Sequence, residues 1–327
     1  MAPGNIGIVG AGLVGLGWAI VFARAGHAVR LYDNAPGAAA EARRTIALRL
    51  DDLRQAGLID EAPATILARV SVADSLAEAL EDALYVQESV LERVDVKNSV
   101  MREIDALVGP ATWIGSSSSG LPASLYTEGL GCRDRCLVAH PVNPPYLAPI
   151  VELVPAPWTS PATLDSVRTL MQAVGQAPVT MSQEAPGFIL NRLQAVLLME
   201  AWRLVEAGLA SVADVDLTVS QGLGLRWAFM GPFETIDLNA PGGIADYARR
   251  LGGLYRDIAA ETTEQRGWDN ELIARIEAQR REVLPEAELV ARSAWRDRRL
   301  MALALHKRRM DSADAAGTDP AATPGTQ

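Results

Sequence analysis

Between Asn5 and about Met181, short runs of β-branched and other apolar residues alternate with longer stretches in which apolar positions recur every three or four residues. Apolar runs of this length, separated by helical patterns, predict a parallel sheet covered by helices. The expected strands are Ile6–Val9, Ala28–Tyr32, Val70–Val72, Tyr85–Glu88, Trp113–Gly115, Leu137–His140, Ile150–Val154 and Pro178–Met181. Between the second and third, residues 38–57 read as an amphipathic helix with an exposed basic face. After Glu184-Ala185-Pro186-Gly187 the pattern changes, and residues 188–207 read as one helix with Ile189, Leu193, Val196, Leu197, Ala201 and Leu204 at helical spacing. Further helices are expected over 211–221, 243–261, 270–282 and 286–307. The fold class is therefore α/β: an N-terminal, mostly parallel sheet over residues 1–185, followed by an all-α C-terminal domain over 186–310. Residues 311–327 carry little to bury and are expected to be disordered.

A chain of 327 residues suits two domains of ordinary size. The net charge of −10, with no long basic stripe before the last forty residues, argues against nucleic acid as the main partner. Of the 30 cationic residues only Lys97 and Lys307 are lysines, so a mechanism built on lysine has two places to look. Cys132 and Cys136 are too few for a disulfide framework, and their spacing matches neither a redox pair nor half of a zinc site, so no metal is expected. The N-terminus runs into an apolar strand without a basic leader, and no stretch approaches a membrane span. A soluble, cytoplasmic protein without membrane partners is the expectation.

Gly10-Ala11-Gly12-Leu13-Val14-Gly15 follows the first strand and opens a helical pattern, the context in which a GxGxxG match becomes specific. Gly10 permits the turn, Gly12 admits a pyrophosphate to the backbone amides, and Gly15 lets the helix approach the strand. Asp33 ends the second strand, where a carboxylate accepts from both adenosine ribose hydroxyls and repels a 2′-phosphate. A Rossmann-type sheet binding NAD through Gly10, Gly12, Leu13, Val14, Gly15 and Asp33 is thus expected, with FAD as the other user of this fingerprint.

His140 is one of three histidines and lies at the carboxyl end of an expected strand, the edge where open α/β sheets bind ligands. Imidazole can take a hydroxyl proton near neutral pH while hydride leaves the same carbon. Glu152, on the next strand, could hold the ring and stabilise the imidazolium. Ser116 to Ser119 follow the Trp113–Gly115 strand and gather hydroxyls at the same edge. Glu88 ends the fourth strand and Glu92 and Lys97 lie just after it, with Glu88 a partner for Lys97.

The segments 138–146 (VAHPVNPPY), 151–155 (VELVP), 187–193 (GFILNRL) and 222–226 (GLGLR) resemble the 3-hydroxyacyl-CoA dehydrogenase superfamily, most closely its λ-crystallin / L-gulonate 3-dehydrogenase branch, over residues 5–310. The resemblance implies that His140 and Glu152 are the catalytic pair and that Ser119 and Asn191 bind the reacting oxygen. It further implies that Ser117, Glu92 and Lys97 contact the cofactor, and that the C-terminal helices form a homodimer. Neutral donors at 119 and 191 can polarise a carbonyl without competing for the proton of His140.

Arg226 departs from the acyl-CoA enzymes, which lack arginine at this position, and a guanidinium there could grip a free carboxylate or form a salt bridge across a dimer interface. A small 3-hydroxy acid such as L-gulonate, oxidised at C3, is accordingly expected as substrate. The alternatives are 3-hydroxybutyryl-CoA, with Arg43, Arg44, Arg49 and Arg54 near the nucleotide, and carnitine, with Trp227 and Tyr146 as an aromatic wall. A crystallin-like, NAD-binding protein without turnover is the non-enzymatic reading. The 6-phosphogluconate and β-hydroxyacid dehydrogenases, which use an interdomain lysine, are disfavoured because no lysine lies between Lys97 and Lys307.

Overall fold

The computed structural model describes residues 4–261 and 268–315. Its sheet is formed, among the described residues, by β1 (Asn5–Val9), β2 (Ala28–Tyr32), β3 (Val70–Val72), β4 (Ala83–Glu88), β5 (Trp113–Ser116), β6 (Cys136–Pro141), β7 (Ile150–Pro155) and β8 (Ala177–Thr180). The order across the sheet is β3-β2-β1-β4-β5-β6-β7-β8. Each expected strand is present, within two residues at either end. β1 pairs in parallel with both β2 and β4, so the strand order reverses between β1 and β4 and leaves a crevice at their carboxyl ends.

β6 and β7 are antiparallel, which the run of apolar segments did not reveal. Only residues 142–149 join them, too few for the helical crossover a parallel pair needs. The consequence is chemical: the antiparallel register sets His140 directly opposite Glu152.

Helices α1 (Leu13–Arg24), α2 (Ala38–Gln55), α3 (Pro63–Leu67), α4 (Leu76–Leu80), α5 (Val94–Leu107), α6 (Ser124–Thr127) and α7 (Pro161–Ala173) cover the sheet. Successive strand residues point to opposite faces. Leu137 and Ala139 accordingly join the apolar cluster containing Trp18, Phe22, Ile46 and Leu53, while Val138 joins the one containing Met101, Ile104 and Phe188. α7 is fixed at its start by Ser160, whose hydroxyl accepts from the Thr163 amide at 3.1 Å, with Pro161 in the first turn.

The long helix α8 (Leu190–Glu206) begins two residues later than its apolar pattern suggests, because Gly187 and Phe188 take positive φ of 76° and 51°. The chain forms two compact units, one of residues up to 193 together with those from 293, the other of residues 194–292. Residues 187–193 are held to the first unit by hydrogen bonds described below, and a final helix returns to it.

In the second unit, after α8, come α9 (Val212–Thr218), a π-helical turn over 219–223, α10 (Gly224–Trp227), α11 (Pro232–Leu238), α12 (Gly243–Ala260) and α13 (Asn270–Val283). α11 was not anticipated. Trp202 stacks on Trp268 at 4.2 Å, and the Gln279 side chain accepts from the Val212 amide at 3.0 Å. α14 (Leu289–Ala315) carries Met301 into the core of the first unit, with Leu300, Ala304 and Leu305 packed against it. It continues to residue 315, five residues into the stretch expected to be unstructured, with Met310 and Ala313 partly buried on one face. The remainder of that stretch, 316–327, lies outside the described residues. No helix of the described residues is long and apolar enough to cross a membrane.

Candidate active site

At the β1–β4 crevice the chain leaves β1 through Gly10, whose φ of 100° suits glycine. A Cβ at Gly15 would sit 1.8 Å from the Gly10 carbonyl oxygen, so the first helical turn could not close on the strand with any larger residue. A Cβ at Gly12 would meet nothing within 4 Å. The protein thus leaves open the space above Gly12, and no side chain caps the first turn of α1, whose amides belong to Leu13, Val14 and Gly15. That is the cradle a pyrophosphate requires. Asp33 braces it: one carboxylate oxygen accepts from the Ala11 amide at 2.7 Å and the other from the Ala35 amide at 2.9 Å. NAD fits this site.

Further along the same edge, His140 Nδ1 lies 2.7 Å from Glu152 Oε2. Both side chains are nearly enclosed, and the imidazole is tilted against the Phe188 ring at 5.8 Å between centroids. The other oxygen, Oε1, accepts from the amides of Ile189 at 2.7 Å and Leu190 at 2.9 Å, at the start of α8. The positive φ values just before α8 turn those two amides toward the sheet. Burial by itself pushes the Glu152 carboxyl up, but the His140 hydrogen bond and the two amides outweigh it and hold the group below the usual carboxylate range. A carboxylate fixed by three donors orients its histidine with Nδ1 occupied and Nε2 left for substrate.

The Ser118–Leu121 turn is organised by Glu92, which the family resemblance placed near the cofactor. Its Oε1 accepts from the Ser118 hydroxyl at 2.7 Å and from the amides of Ser119 at 2.9 Å, Gly120 at 3.1 Å and Leu121 at 3.3 Å. Burial raises this carboxyl; the Ser118 hydroxyl, the Gly120 amide, the Lys97 charge and the Leu121 amide together lower it further. Ser119 is exposed at the tip of the turn, and its carbonyl accepts from Asn191 Nδ2 at 2.6 Å. The structure therefore brings Ser119 and Asn191 together.

Lys97 is fully buried, with Nζ 2.9 Å from both Glu88 oxygens, 3.4 Å from Ser116 Oγ and 3.9 Å from Glu92 Oε2. Ser116 donates to Glu88 at 2.5 Å, and the Val90 amide does so at 2.7 Å. The Glu88–Lys97 pair suggested by their strand-end positions is thus present, and it occupies the ammonium beneath the serine turn. Ser117 lies in the β4–β5 region, with its hydroxyl among Trp18, Gln87 and Ser89. Sequence reasoning passed over Gln87 and Ser89, although their place at the carboxyl end of the strand beside the crevice was a usable signal.

Arg226 and Tyr146 complete the residues singled out by the sequence. Arg226 is in the second unit, exposed on α10, its carbonyl accepting from the amides of Phe229 and Met230. Tyr146 is buried in the first unit's core, so it offers no aromatic wall. No group of three or more metal-ligating side chains occurs among the described residues.

Comparison with known proteins sharpens this picture. Residues 5–185 match the 3-hydroxyacyl-CoA dehydrogenase NAD binding domain, and residues 187–277 match the C-terminal domain of the same family. The chain is 42% identical to lambda-crystallin of Oryctolagus cuniculus over 94% of its length and 98% of that protein's. It is 40% identical to L-carnitine dehydrogenase of Streptomyces griseus over 76% of this chain and 73% of the other. Among solved structures, the NAD+-dependent 5-formyl-3-hydroxy-2-methylpyridine 4-carboxylic acid 5-dehydrogenase superposes with a TM-score of 0.80 at 26% identity, covering 95% of this chain and 99% of that one.

Proposed function

Since the chain belongs to the 3-hydroxyacyl-CoA dehydrogenase family of NAD-dependent oxidoreductases, we propose that it oxidises the C3 hydroxyl of a small 3-hydroxy acid with a free carboxylate, as an L-gulonate 3-dehydrogenase would. The observation that carries the reading is the His140–Glu152 pair at 2.7 Å, at the edge of the sheet that also bears the Gly10–Gly15 turn. NAD, when bound, supplies the hydride acceptor. Gly10, Gly12, Leu13, Val14, Gly15 and Asp33 hold its adenosine and pyrophosphate, and Ser117, Glu92 and Lys97 complete its nicotinamide side, the Ser117 hydroxyl acting through Ser89 and the buried Lys97 through Glu88 and Glu92.

The chain's own chemistry is a proton transfer. His140 Nε2 takes the proton from the substrate hydroxyl, and Glu152, held ionised by its three donors, stabilises the imidazolium. Ser119 Oγ and the Asn191 amide polarise the carbon–oxygen bond as it becomes a carbonyl. Arg226 grips the free carboxylate, which a thioester would not offer.

A second reading, oxidation of carnitine, is favoured by the 40% identity to L-carnitine dehydrogenase. Carnitine shares the free carboxylate and the C3 hydroxyl. Homodimerisation through the second unit is supported by its exposed apolar side chains, among them Val196, Leu217, Phe229 and Phe233, which a partner copy would cover.

The test is NADH formation at 340 nm with L-gulonate, carnitine, 3-hydroxybutyrate and 3-hydroxybutyryl-CoA, with His140→Ala as control. Turnover of a free acid that His140→Ala abolishes supports the reading, and Arg226→Leu should raise the KM for that acid at least tenfold. Turnover of the CoA ester alone overturns it; NAD binding with no His140-dependent turnover of any substrate favours a crystallin-like binding protein.

A further inference from the structure

A chain of hydrogen bonds, buried at its inner end, runs from the interior of the first unit to the crevice. Tyr85, Gln87 and Trp18 are fully enclosed. Gln87 Nε2 lies 3.3 Å from the Ala139 carbonyl oxygen, which can only accept, so this end of the amide is the NH2 group. The other end, Oε1, accepts from the Tyr85 hydroxyl at 2.5 Å. The amide is therefore held in one orientation.

The consequences pass outward one proton at a time. Gln87 Nε2 donates to Ser117 Oγ at 2.7 Å, and the indole Nε1 of Trp18, which can only donate, reaches the same oxygen at 3.2 Å. Both lone pairs of Ser117 Oγ are then filled, so its own O–H must donate. Its partner is Ser89 Oγ at 2.8 Å. Ser89 Oγ accepts that bond and keeps its own O–H for a further acceptor.

Ser89 stands directly after β4, in the crevice where the strand order reverses. Its amide donates to the Val9 carbonyl at 2.7 Å, and its own carbonyl lies 2.5 Å from where a Cβ at Gly10 would be, so the glycine turn and Ser89 are immediate neighbours. It is only partly buried. Gly115 protects the arrangement, since any Cβ there would fall 1.8 Å from the Tyr85 hydroxyl oxygen.

We infer that Ser89 is a cofactor-binding residue whose hydroxyl is oriented by Tyr85, Gln87, Trp18 and Ser117 to donate to an oxygen of the NAD phosphate–ribose segment next to the nicotinamide. The inference rests on NAD as cofactor and is independent of which hydroxy acid is oxidised. Ser89→Ala removes the donor.

The experiment is calorimetric titration of the whole protein and of Ser89→Ala with NAD+, ADP-ribose and AMP, without any hydroxy acid. NAD+ and ADP-ribose, which carry the second phosphate and ribose, should bind about three- to tenfold more weakly to Ser89→Ala, the weight of one hydrogen bond. AMP, which ends before that segment, should bind unchanged. An NAD+ affinity within 1.5-fold of the parent, or an equal loss for AMP, overturns the assignment. Should Ser89→Ala fail to fold, Ser89→Cys, which retains a weak donor of similar size, is judged by the same comparison. Failure of every hydroxy acid to turn over would sink the substrate reading and leave this one standing.

Discussion

Replacing Glu152 by glutamine changes one oxygen to an NH2 group at almost constant shape, and the structure dictates where that group must go. Oε1 faces two backbone amides, Ile189 at 2.7 Å and Leu190 at 2.9 Å, and both can only donate. The glutamine therefore keeps its oxygen on that side and turns its NH2 toward His140 Nδ1, now 2.7 Å from a donor instead of an acceptor. Nδ1 must then accept, and the ring proton moves to Nε2. An imidazole in that tautomer cannot take the substrate proton, and it has also lost the charge that stabilised its protonated form. In serine hydrolases the same change at the orienting carboxylate costs about 10⁴-fold in kcat, so a loss of about 10³–10⁴-fold, roughly 4–5.5 kcal/mol, is expected here. The assay has two arms: kcat for NADH formation with the best substrate, and ¹⁵N NMR of the His140 ring, which reads the tautomer without substrate. The calorimetric Kd for NAD+ should stay within twofold. A kcat within tenfold of the parent, or an Nδ1–H signal retained in Glu152→Gln, would refute the reasoning.

Three further outcomes are expected. Lys97→Met strands the buried Glu88 charge and should destabilise the protein by about 3–5 kcal/mol, whereas the double variant with Glu88→Gln should recover at least half in denaturant unfolding; additive losses would show that the pair is not coupled. Gly12→Ala adds a Cβ only to open space, so the melting temperature of the protein alone should hold while NAD+ affinity falls at least tenfold; unchanged affinity would mean that the pyrophosphate lies elsewhere. The Glu92 carboxyl sits below its ordinary value of 4.5, so its contribution to stability is complete above that value and is lost as pH falls through the lower, folded-state value. Thermal melts between pH 6 and pH 3 should therefore fall more steeply for the parent than for Glu92→Gln, and parallel curves would contradict the assignment.

The elements legible in the sequence are those whose signal is local. A strand such as Ile6–Val9 followed by Gly-x-Gly-x-x-Gly declares itself within a dozen residues, and so does the acid at the end of β2. The His140–Glu152 pair was readable as chemistry, but its geometry depends on β7 running antiparallel, a property of the short 142–149 connection. Lys97 was expected at the cofactor from the family resemblance. That its ammonium is wholly enclosed by Glu88 and Ser116 depends on three strand and helix ends meeting, which no local pattern encodes. Gln87 and Ser89 stood at a legible strand end, but their roles follow from which protons their neighbours can give, which no local pattern shows. α11 was overlooked because seven residues opening on Gly231-Pro232 carry too short a period to read.

The return of α14 makes the first unit discontinuous along the chain, and this bears on how the protein is made. Met301 fills a core whose other members lie before residue 175. A growing chain can lay down all eight strands and still lack a wall of that core until about 120 further residues have left the ribosome. The nascent sheet must wait with an apolar groove open, so this step of biosynthesis is where a holding chaperone has most to cover. Truncation before α14 would be felt in the cofactor-binding unit, far away in sequence, before it was felt in the helices next to the cut.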